Sequence, residues 1–329
     1  MKPMNLIVFD MDGVLIDVSD SYREAVRKTA RRFLAGAKNG EQLPDPLFPL
    51  SDLARLKQSG GLNNDWELTA RTLHLLLLFM EADDQNRSEE KPSYQEDMKN
   101  YNVEVLANFL RRSKNPLTYL YGQFQDRESF FVKSCFRGDV KTGNIIKRMF
   151  QEIYLGSSLF LSTYGVAPTF SRGKGLINNE TLFCDPAILE DLAKYHILAV
   201  ATGRPKMEAL QPLERFKIRE YFKEVITLDD VLREEKAIVK ERNEIISLSK
   251  PNPFMLDYLV ETIGGPFQKL FYVGDMPDDM QAAKASKKGY GAVGVLYSSP
   301  DPQNSRKVLR QAGADYIIDS LSALPQIIG

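Results

Sequence analysis

The stretch LIVFDMDGVLID, residues 6–17, begins as an apolar run and stops at two carboxylates. A short apolar run that ends near a glycine, here Gly13, is typical of a buried strand followed by a turn. Asp10 and Asp12 then allow two interpretations. Acidic residues are common in solvated turns. In an open parallel sheet they also lie where ligands bind, at the carboxyl ends of the strands.

Composition narrows the class of protein. The 329 residues are 43% hydrophobic and 26% charged, which describes a globular chain large enough for two domains. A formal net charge of -1 gives no electrostatic reason to expect a nucleic acid or an anionic membrane as a partner, so we expect a small molecule. Two cysteines and two histidines, without a CxxC motif, predict neither a disulfide framework nor a zinc site.

The start of the sequence and the length of its apolar runs bear on the compartment. Met1 leads almost directly into the first apolar run, without the basic and apolar segments of a signal peptide. The longest apolar run, residues 75–80, is too short to span a bilayer. We therefore predict a cytoplasmic protein, and the sequence indicates no oligomeric state.

The first half of the chain has a sequence pattern that is typical of helices. Apolar residues spaced three and four apart predict helices over residues 19–34, 65–80, 103–112, 130–135 and 145–154. Residues 36–50, with three prolines, and the polar stretch 81–100 are predicted loops. The acidic residues of 81–100 could bind a cation or a partner, but a solvated loop is the better interpretation, and we assign the stretch no function.

From residue 185 onward, helices alternate with short apolar strands, which predicts right-handed crossovers and a parallel sheet. The first strand has no partner in the helical half, so we expect it to join this sheet. The predicted fold class is α/β, with a Rossmann-like doubly wound parallel sheet as the core and an inserted, mainly α-helical domain. The core takes residues 1–13 and 184–329, and the insertion takes residues 14–183.

Polar residues follow three of the predicted strands, and a lysine lies in a loop between two of them. Because parallel strands end at one edge of the sheet, we expect these side chains to converge there. They are Asp10 and Asp12, then Thr202, Gly203 and Arg204, then Lys250 of the loop, and finally Asp275, Asp278 and Asp279.

Carboxylates crowded at one edge would repel one another unless a cation lay among them. Oxygen ligands, with no histidine or cysteine nearby in the sequence, suit Mg²⁺ better than zinc. The sequence therefore predicts a Mg²⁺ site made by Asp10, Asp12, Asp275 and Asp279, with Asp278 as a competing candidate. Mg²⁺ commonly binds carboxylates together with phosphate, so phosphate chemistry is the natural prediction.

Each of these residues has a chemical task in such a reaction. Asp10 can attack phosphorus and form an aspartyl phosphate, and Asp12 can protonate the leaving alkoxide and later accept a proton from water. Thr202 and the amide of Gly203 can donate hydrogen bonds to phosphoryl oxygens, while Lys250 supplies positive charge that keeps Asp10 ionised. Arg204 can either bind a substrate anion or brace this edge of the sheet.

The four motifs, in this order, resemble the haloacid dehalogenase (HAD) superfamily. DMDGV, TGR, SKPNP and GDMPDD correspond to its pattern of DxDx(T/V), T/S, K and GDxxxD or a variant. The insertion lies where subfamily I of that superfamily carries a C1-type helical cap. The resemblance implies a Mg²⁺-dependent phosphatase that acts on a small phosphorylated metabolite. It also implies a cap that closes over the site, with hinges near residues 13–17 and 173–183.

The insertion is longer than the usual cap of that family, so it identifies no substrate. Within it, the segment GGLNNDW at residues 60–66 is the predicted substrate contact, through Asn63 and Asn64. An equally weighted alternative is a loop in which Asn64 or Asp65 caps the next helix. The segment also resembles an uncharacterised branch of the same family, which implies no substrate.

Three functions remain in competition. The leading one is a phosphomonoester hydrolase. A phosphomutase, similar to β-phosphoglucomutase, would pass the phosphoryl group to a second hydroxyl of a sugar, and the sequence does not separate it from the hydrolase. A non-catalytic, Mg²⁺-binding regulatory protein would keep the site without turnover. A dehalogenase is disfavoured because halide leaves without a proton and would have no use for Asp12.

Overall fold

The structure is a computed structural model that describes residues 4–58, 64–81 and 94–329. Its contacts divide the chain into two units. The first, Met1–Val18 with Glu180–Gly329, is called the core here, and the second, Ser19–Asn179, is called the helical unit. Within the described residues, no helix combines the length and the apolar character needed to cross a membrane. The predicted compartment stays a prediction.

The elements follow in chain order. The strands are β1 (Met4–Phe9), β2 (Ile16–Asp17), β3 (Thr181–Leu182), β4 (Ile197–Ala201), β5 (Phe222–Ile226), β6 (Phe267–Gly274), β7 (Tyr290–Val295) and β8 (Tyr316–Ile318). The helices are α1 (Tyr22–Leu34), α2 (Leu50–Gln58), α3 (Asp65–Glu81), α4 (Tyr94–Met98), α5 (Glu104–Arg112), α6 (Pro116–Phe124), α7 (Phe130–Cys135), α8 (Ile145–Tyr164), α9 (Pro186–Tyr195), α10 (Lys206–Arg215), α11 (Leu228–Arg242), α12 (Phe254–Ile263), α13 (Pro277–Ala285), α14 (Pro302–Gln311) and α15 (Pro325–Ile328).

The core is built on a six-stranded sheet with the order β5-β4-β1-β6-β7-β8. All neighbouring strands in it are parallel. The N-terminal strand lies in the middle, with Val8 opposite Ala199 on one side and Tyr272 on the other. The predicted α/β fold with a Rossmann-like sheet is confirmed, including the return of the first strand to that sheet.

The apolar run of β1 follows from its central position. Leu6, Ile7, Val8 and Phe9 are fully buried, because a parallel strand flanked by crossover helices has no face left for water. A half-exposed strand would have alternated apolar and polar residues. The continuous run was therefore a signal of a strand buried on both faces.

Prediction missed one long helix of the core. The helix α11 is rich in charged residues and buries Val231, so it lacks the apolar stripe that marked its neighbours. It begins instead with a capping box, in which Asp230 Oδ2 accepts from the amide of Thr227 at 2.9 Å.

Two very short strands join the segments where the chain leaves the core and returns to it. Ile16 of β2 lies opposite Leu182 of β3 in an antiparallel pair. Strands of two residues carry no periodicity, so the sequence could not predict them. They hold the two connecting segments together on the core side.

The helical unit contains α1 to α8, and five of these helices were predicted from periodicity. The helices α2, α4 and α6 were missed, and α8 extends well beyond its predicted end at residue 154. The short helix α4 lies within the stretch 81–100, so the loop predicted there is wrong for residues 94–98. It does so through a break at Gly156, where φ is +75°, and the chain of residues 173–175 crosses the break. The amide of Ser157 there donates to the carbonyl of Gly173 at 3.0 Å. Of the acidic stretch 81–100, residues 82–93 lie outside the described residues.

Candidate active site

Polar residues lie at the carboxyl ends of adjacent strands in the core. Asp10 follows β1, Thr202 follows β4 and Asp275 follows β6. Main-chain pairing continues just beyond the strands, because the amide of Asp10 donates to the carbonyl of Val273 at 2.8 Å and that of Thr202 to Ile226 at 3.0 Å. The hydrogen bonds of the sheet therefore fix the backbone positions from which these side chains extend.

Three carboxylates meet at this edge. Asp10, Asp275 and Asp279 each offer an oxygen atom, and these atoms lie within 4.8 Å of one another. Asp279 belongs to the first turn of α13, and its carboxylate accepts from the hydroxyl of Tyr272 at 2.9 Å and from the amide of Met276 at 3.0 Å. Asp278, the competing candidate, is half-buried and outside this group.

Lys250 lies among these carboxylates. Its Nζ is 2.7 Å from Oδ1 of Asp10 and 2.9 Å from Oδ1 of Asp279, and its side chain is only 7% exposed. Burial alone would lower the pKa of this lysine, but the two carboxylates raise it above its ordinary value. The lysine therefore stays cationic and bridges two of the acidic groups.

One lysine does not balance the charge of three carboxylates. Burial raises the pKa of Asp10 to about 8, against the lowering effect of Lys250 and with further raising by Asp279, Asp275 and Asp12. A divalent cation would relieve this repulsion. Oxygen donors without nitrogen or sulfur suit Mg²⁺, so this donor set fits the predicted metal.

Asp12 has a different environment from Asp10. Its Oδ1 accepts from Nε of Arg204 at 2.7 Å and from Nη2 at 2.5 Å. Its carboxylate is not one of the three grouped oxygens, so a metal contact by its side chain stays a prediction. The two carboxylates of the DxD motif thus contact two different cations, Asp10 with Lys250 and Asp12 with Arg204.

Arg204 is buried, with its side chain 1% exposed. Besides Asp12, it makes a paired contact with Glu180, at 3.1 Å for each of the two oxygens. This geometry favours bracing over binding of a substrate anion. Its amide also donates to Oγ1 of Thr202 at 3.1 Å, so the hydroxyl hydrogen of Thr202 remains for another acceptor. Gly203, between them, is exposed.

The predicted substrate segment lies in the helical unit. Oδ1 of Asn64 accepts from the amide of Trp66 at 2.9 Å, which is the contact expected of a residue that caps α3. Nζ of Lys147 lies 3.8 Å from the centre of the Trp66 ring. Asn63 lies outside the described residues. The substrate role of this segment stays a prediction.

Sequence reasoning missed three residues of the site. Ser298 follows β7, and its Oγ is 3.5 Å from Oδ2 of Asp275. The rule that found the other strand ends would have found it. Tyr272 could have been found as the residue that carries a hydroxyl group within an apolar part of a strand. Glu180 carried no signal, because its partner Arg204 is 24 residues away in sequence.

Comparisons with known proteins agree with this geometry. Residues 186–293 match the family of haloacid dehalogenase-like hydrolases. This match within the core supports the resemblance to the haloacid dehalogenase superfamily. A crystal structure from a structural genomics consortium shares the fold, with a TM-score of 0.62 and 22% identity over 99% of this chain and 98% of that one.

Two curated relatives extend the comparison. A phosphoglycolate phosphatase from Salmonella typhi is 28% identical over 164 residues, which are 49% of this chain and 57% of that protein. An imidazoleglycerol-phosphate dehydratase from Phytophthora nicotianae is 24% identical over 327 residues, which are 96% of this chain and 50% of that protein. The chain thus spans about half the length of the curated relatives it matches.

The first prediction concerns Gly13, where φ is +78° and an added Cβ would lie 2.2 Å from Oδ2 of Asp275. Gly289 has a similar φ of +82° but open space around it, so it is the matched control. We expect Gly289→Ala to lower the free energy of unfolding by about 1–2 kcal/mol. Gly13→Ala should cost about 1–3 kcal/mol more, because Asp275 must move. Urea unfolding followed by circular dichroism would measure both, and equal losses would contradict the steric argument.

The second prediction concerns the buried charge of Asp10. Because its pKa is about 8 in the folded protein and 3.8 in the reference state, folding favours its protonated form. That contribution to stability is complete below 3.8 and is lost as the pH rises through about 8. We expect the Tm of the metal-free protein, measured in EDTA, to fall over this range, and to fall less for Asp10→Asn. The exposed variant Asp126→Asn should keep the wild-type slope. A wild-type slope in Asp10→Asn would contradict the assignment.

Proposed function

We propose that the chain is a Mg²⁺-dependent phosphomonoester hydrolase that acts on a small phosphorylated metabolite through an aspartyl phosphate. The observation that carries this proposal is the contact of Lys250 with both Asp10 and Asp279 beside Asp275, at the ends of adjacent strands. A solvated turn would not bury a lysine among three carboxylates, because the desolvation of those charges is costly. The helical unit takes the place of the cap in this proposal.

Asp10 is the proposed nucleophile. It must be ionised to attack phosphorus, yet burial and the neighbouring carboxylates favour its protonated form. Lys250 opposes this effect through its 2.7 Å contact. Mg²⁺ held by Asp10, Asp275 and Asp279, with Asp12 as the predicted fourth carboxylate, would supply the remaining positive charge and screen the incoming phosphoryl oxygens.

Asp12 is the proposed general acid and base. It would protonate the leaving alkoxide while Asp10 takes the phosphoryl group, and it would then accept a proton from the water that hydrolyses the acyl phosphate. The two carboxylates can divide these tasks because Asp10 contacts Lys250, whereas Asp12 contacts Arg204. Different cations give chemically similar groups different roles.

Thr202 is the proposed phosphate ligand on the second strand. Its Oγ1 already accepts from the amide of Arg204, which directs the hydroxyl hydrogen elsewhere. A phosphoryl oxygen at this edge would be a suitable acceptor. The amide of Gly203 would be a second donor to the same group.

The names of the two relatives suggest the first esters to test. Phosphoglycolate appears in the name of the Salmonella protein, which aligns with 49% of this chain. Imidazoleglycerol phosphate appears in the name of the Phytophthora protein, which aligns with 96% of this chain but is about twice as long. Both compounds are phosphate monoesters, so a single assay of released phosphate covers both.

The third prediction is the activity itself. Purified protein with Mg²⁺ should release phosphate from at least one ester in a panel of phosphoglycolate, imidazoleglycerol phosphate, sugar phosphates and nucleotides. EDTA should abolish the release, because removal of Mg²⁺ would leave the negative charges of Asp10, Asp275 and Asp279 unbalanced. Asp10→Asn should also abolish it, because an amide cannot form the aspartyl phosphate.

Two results would contradict the hydrolase. Isomerised sugar phosphate without free phosphate would indicate a mutase. No release from any ester, combined with a stable phosphorylated Asp10 detected by mass spectrometry, would indicate a regulatory protein that accepts a phosphoryl group without turnover.

The fourth prediction tests the hydroxyl of Thr202. Thr202→Val should lower kcat by about 10²-fold, because loss of one preorganised donor to a phosphoryl oxygen typically costs that much. Thr227→Val is the matched control, since Thr227 is equally buried in the core but its hydroxyl donates to Asp230 at the start of α11. The control should lose stability in thermal unfolding and keep kcat. Equal kcat for the two variants would argue against a phosphate contact by Thr202.

A further inference from the structure

The guanidinium of Arg204 directs every donor it has at an acceptor within the core. Nε and Nη2 donate to Oδ1 of Asp12, and Nη1 and Nη2 donate to the two oxygens of Glu180 at 3.1 Å. Nη1 also donates to the carbonyl of Glu208 at 3.0 Å. An arginine has five N–H donors, and these contacts account for all five. No donor remains for a substrate anion.

Glu180 is as deeply buried as the arginine it holds. Its side chain is 0% exposed, and its carbonyl accepts from Nη2 of Arg215 at 2.7 Å. The residue lies immediately before β3, where the chain returns to the core. A buried carboxylate with two parallel bonds to a guanidinium is a geometrically specific contact, because both groups are planar.

The contact with Arg204 also distinguishes the two oxygens of Asp12. Both donors from the guanidinium reach Oδ1, so this oxygen faces N–H groups and has no place for a hydrogen of its own. A proton that Asp12 transfers must therefore travel on Oδ2. The side chain is 23% exposed, so Asp12 as a whole remains accessible from the edge of the sheet.

We infer that Arg204 and Glu180 form a positioning pair for Asp12, in which Glu180 fixes the guanidinium and the guanidinium turns Oδ2 of Asp12 toward the leaving group. The inference rests on the proposed function, since it assigns Asp12 its acid role. It gives Arg204 no contact with the substrate. It also gives a role in the reaction to Glu180, which none of the sequence motifs contains.

The dependence of kcat/KM on the leaving group tests this inference. An alkoxide leaving group needs a proton from Asp12, whereas p-nitrophenolate is stable enough to leave without one. Arg204→Lys keeps the charge but cannot make the paired contacts. We expect it to lower kcat/KM on the best alkyl phosphate by about 10²-fold and on p-nitrophenyl phosphate by less than about 10-fold, because kcat/KM ends with departure of the leaving group and excludes the water step that both esters share. Glu180→Gln should show the same selective loss with a smaller magnitude.

Glu152→Gln is the matched control. Glu152 is also 0% exposed and pairs with an arginine, since Nε of Arg148 lies 3.0 Å from its Oε1, but it belongs to the helical unit. Thermal unfolding of all three variants would measure the stability lost with each buried pair. The control should lose stability without any difference between the two esters.

The outcomes distinguish a failure of the positioning pair from a failure of the proposed hydrolase. A selective loss on the alkyl ester in both Arg204→Lys and Glu180→Gln supports the positioning pair. Equal losses of kcat/KM on the two esters would overturn it and leave the hydrolase standing. If the wild-type protein releases phosphate from neither ester, the proposed function fails and this inference fails with it.

Discussion

The contact of Lys250 with Asp10 and Asp279 is the interaction on which the rest of the site depends. It brings together three separate parts of the chain: the end of β1, the loop before α12 and the first turn of α13. The side chains of all three groups are largely buried, so each charge requires its partners. Removing the lysine would take away the cation that contacts both Asp10 and Asp279. The parallel sheet is what makes this grouping possible, because its adjacent strands end side by side.

The sequence predicted the core better than the helical unit, and the reason is physical. Strands buried on both faces, such as 197–201, are continuous apolar runs between turns, and their position in a parallel sheet follows from the helices between them. Most helices of the insertion showed an apolar stripe. The break of α8 at Gly156 depends on the crossing of residues 173–175, and no local pattern reveals a contact of that kind. The charged helix α11 was missed because it buries so little.

The candidate site divides in the same way. Asp10, Thr202 and Asp275 follow strands that periodicity predicts, so one rule about strand ends led to their convergence. Lys250 was predicted from a loop between two of these strands, and Asp279 from the helix that follows the last of them. Arg204 was found by the same rule, but its direction was not, because that depends on Glu180 far away in sequence. Sequence patterns place a residue on an element. The acceptors that its side chain meets are decided by packing between segments that the pattern treats as independent.

The surroundings of the DxD motif show why its two carboxylates are not interchangeable. Asp10 is 8% exposed and lies in the acidic group, where the cation is Lys250. The next residue, Met11, is fully buried, and the carboxylate of Asp12 contacts Arg204 instead of the other carboxylates. A nucleophile benefits from a cation that can share its charge with an incoming phosphoryl group. A proton carrier benefits instead from a fixed orientation, which a planar guanidinium provides better than a flexible ammonium. The two cations therefore suit the two proposed tasks.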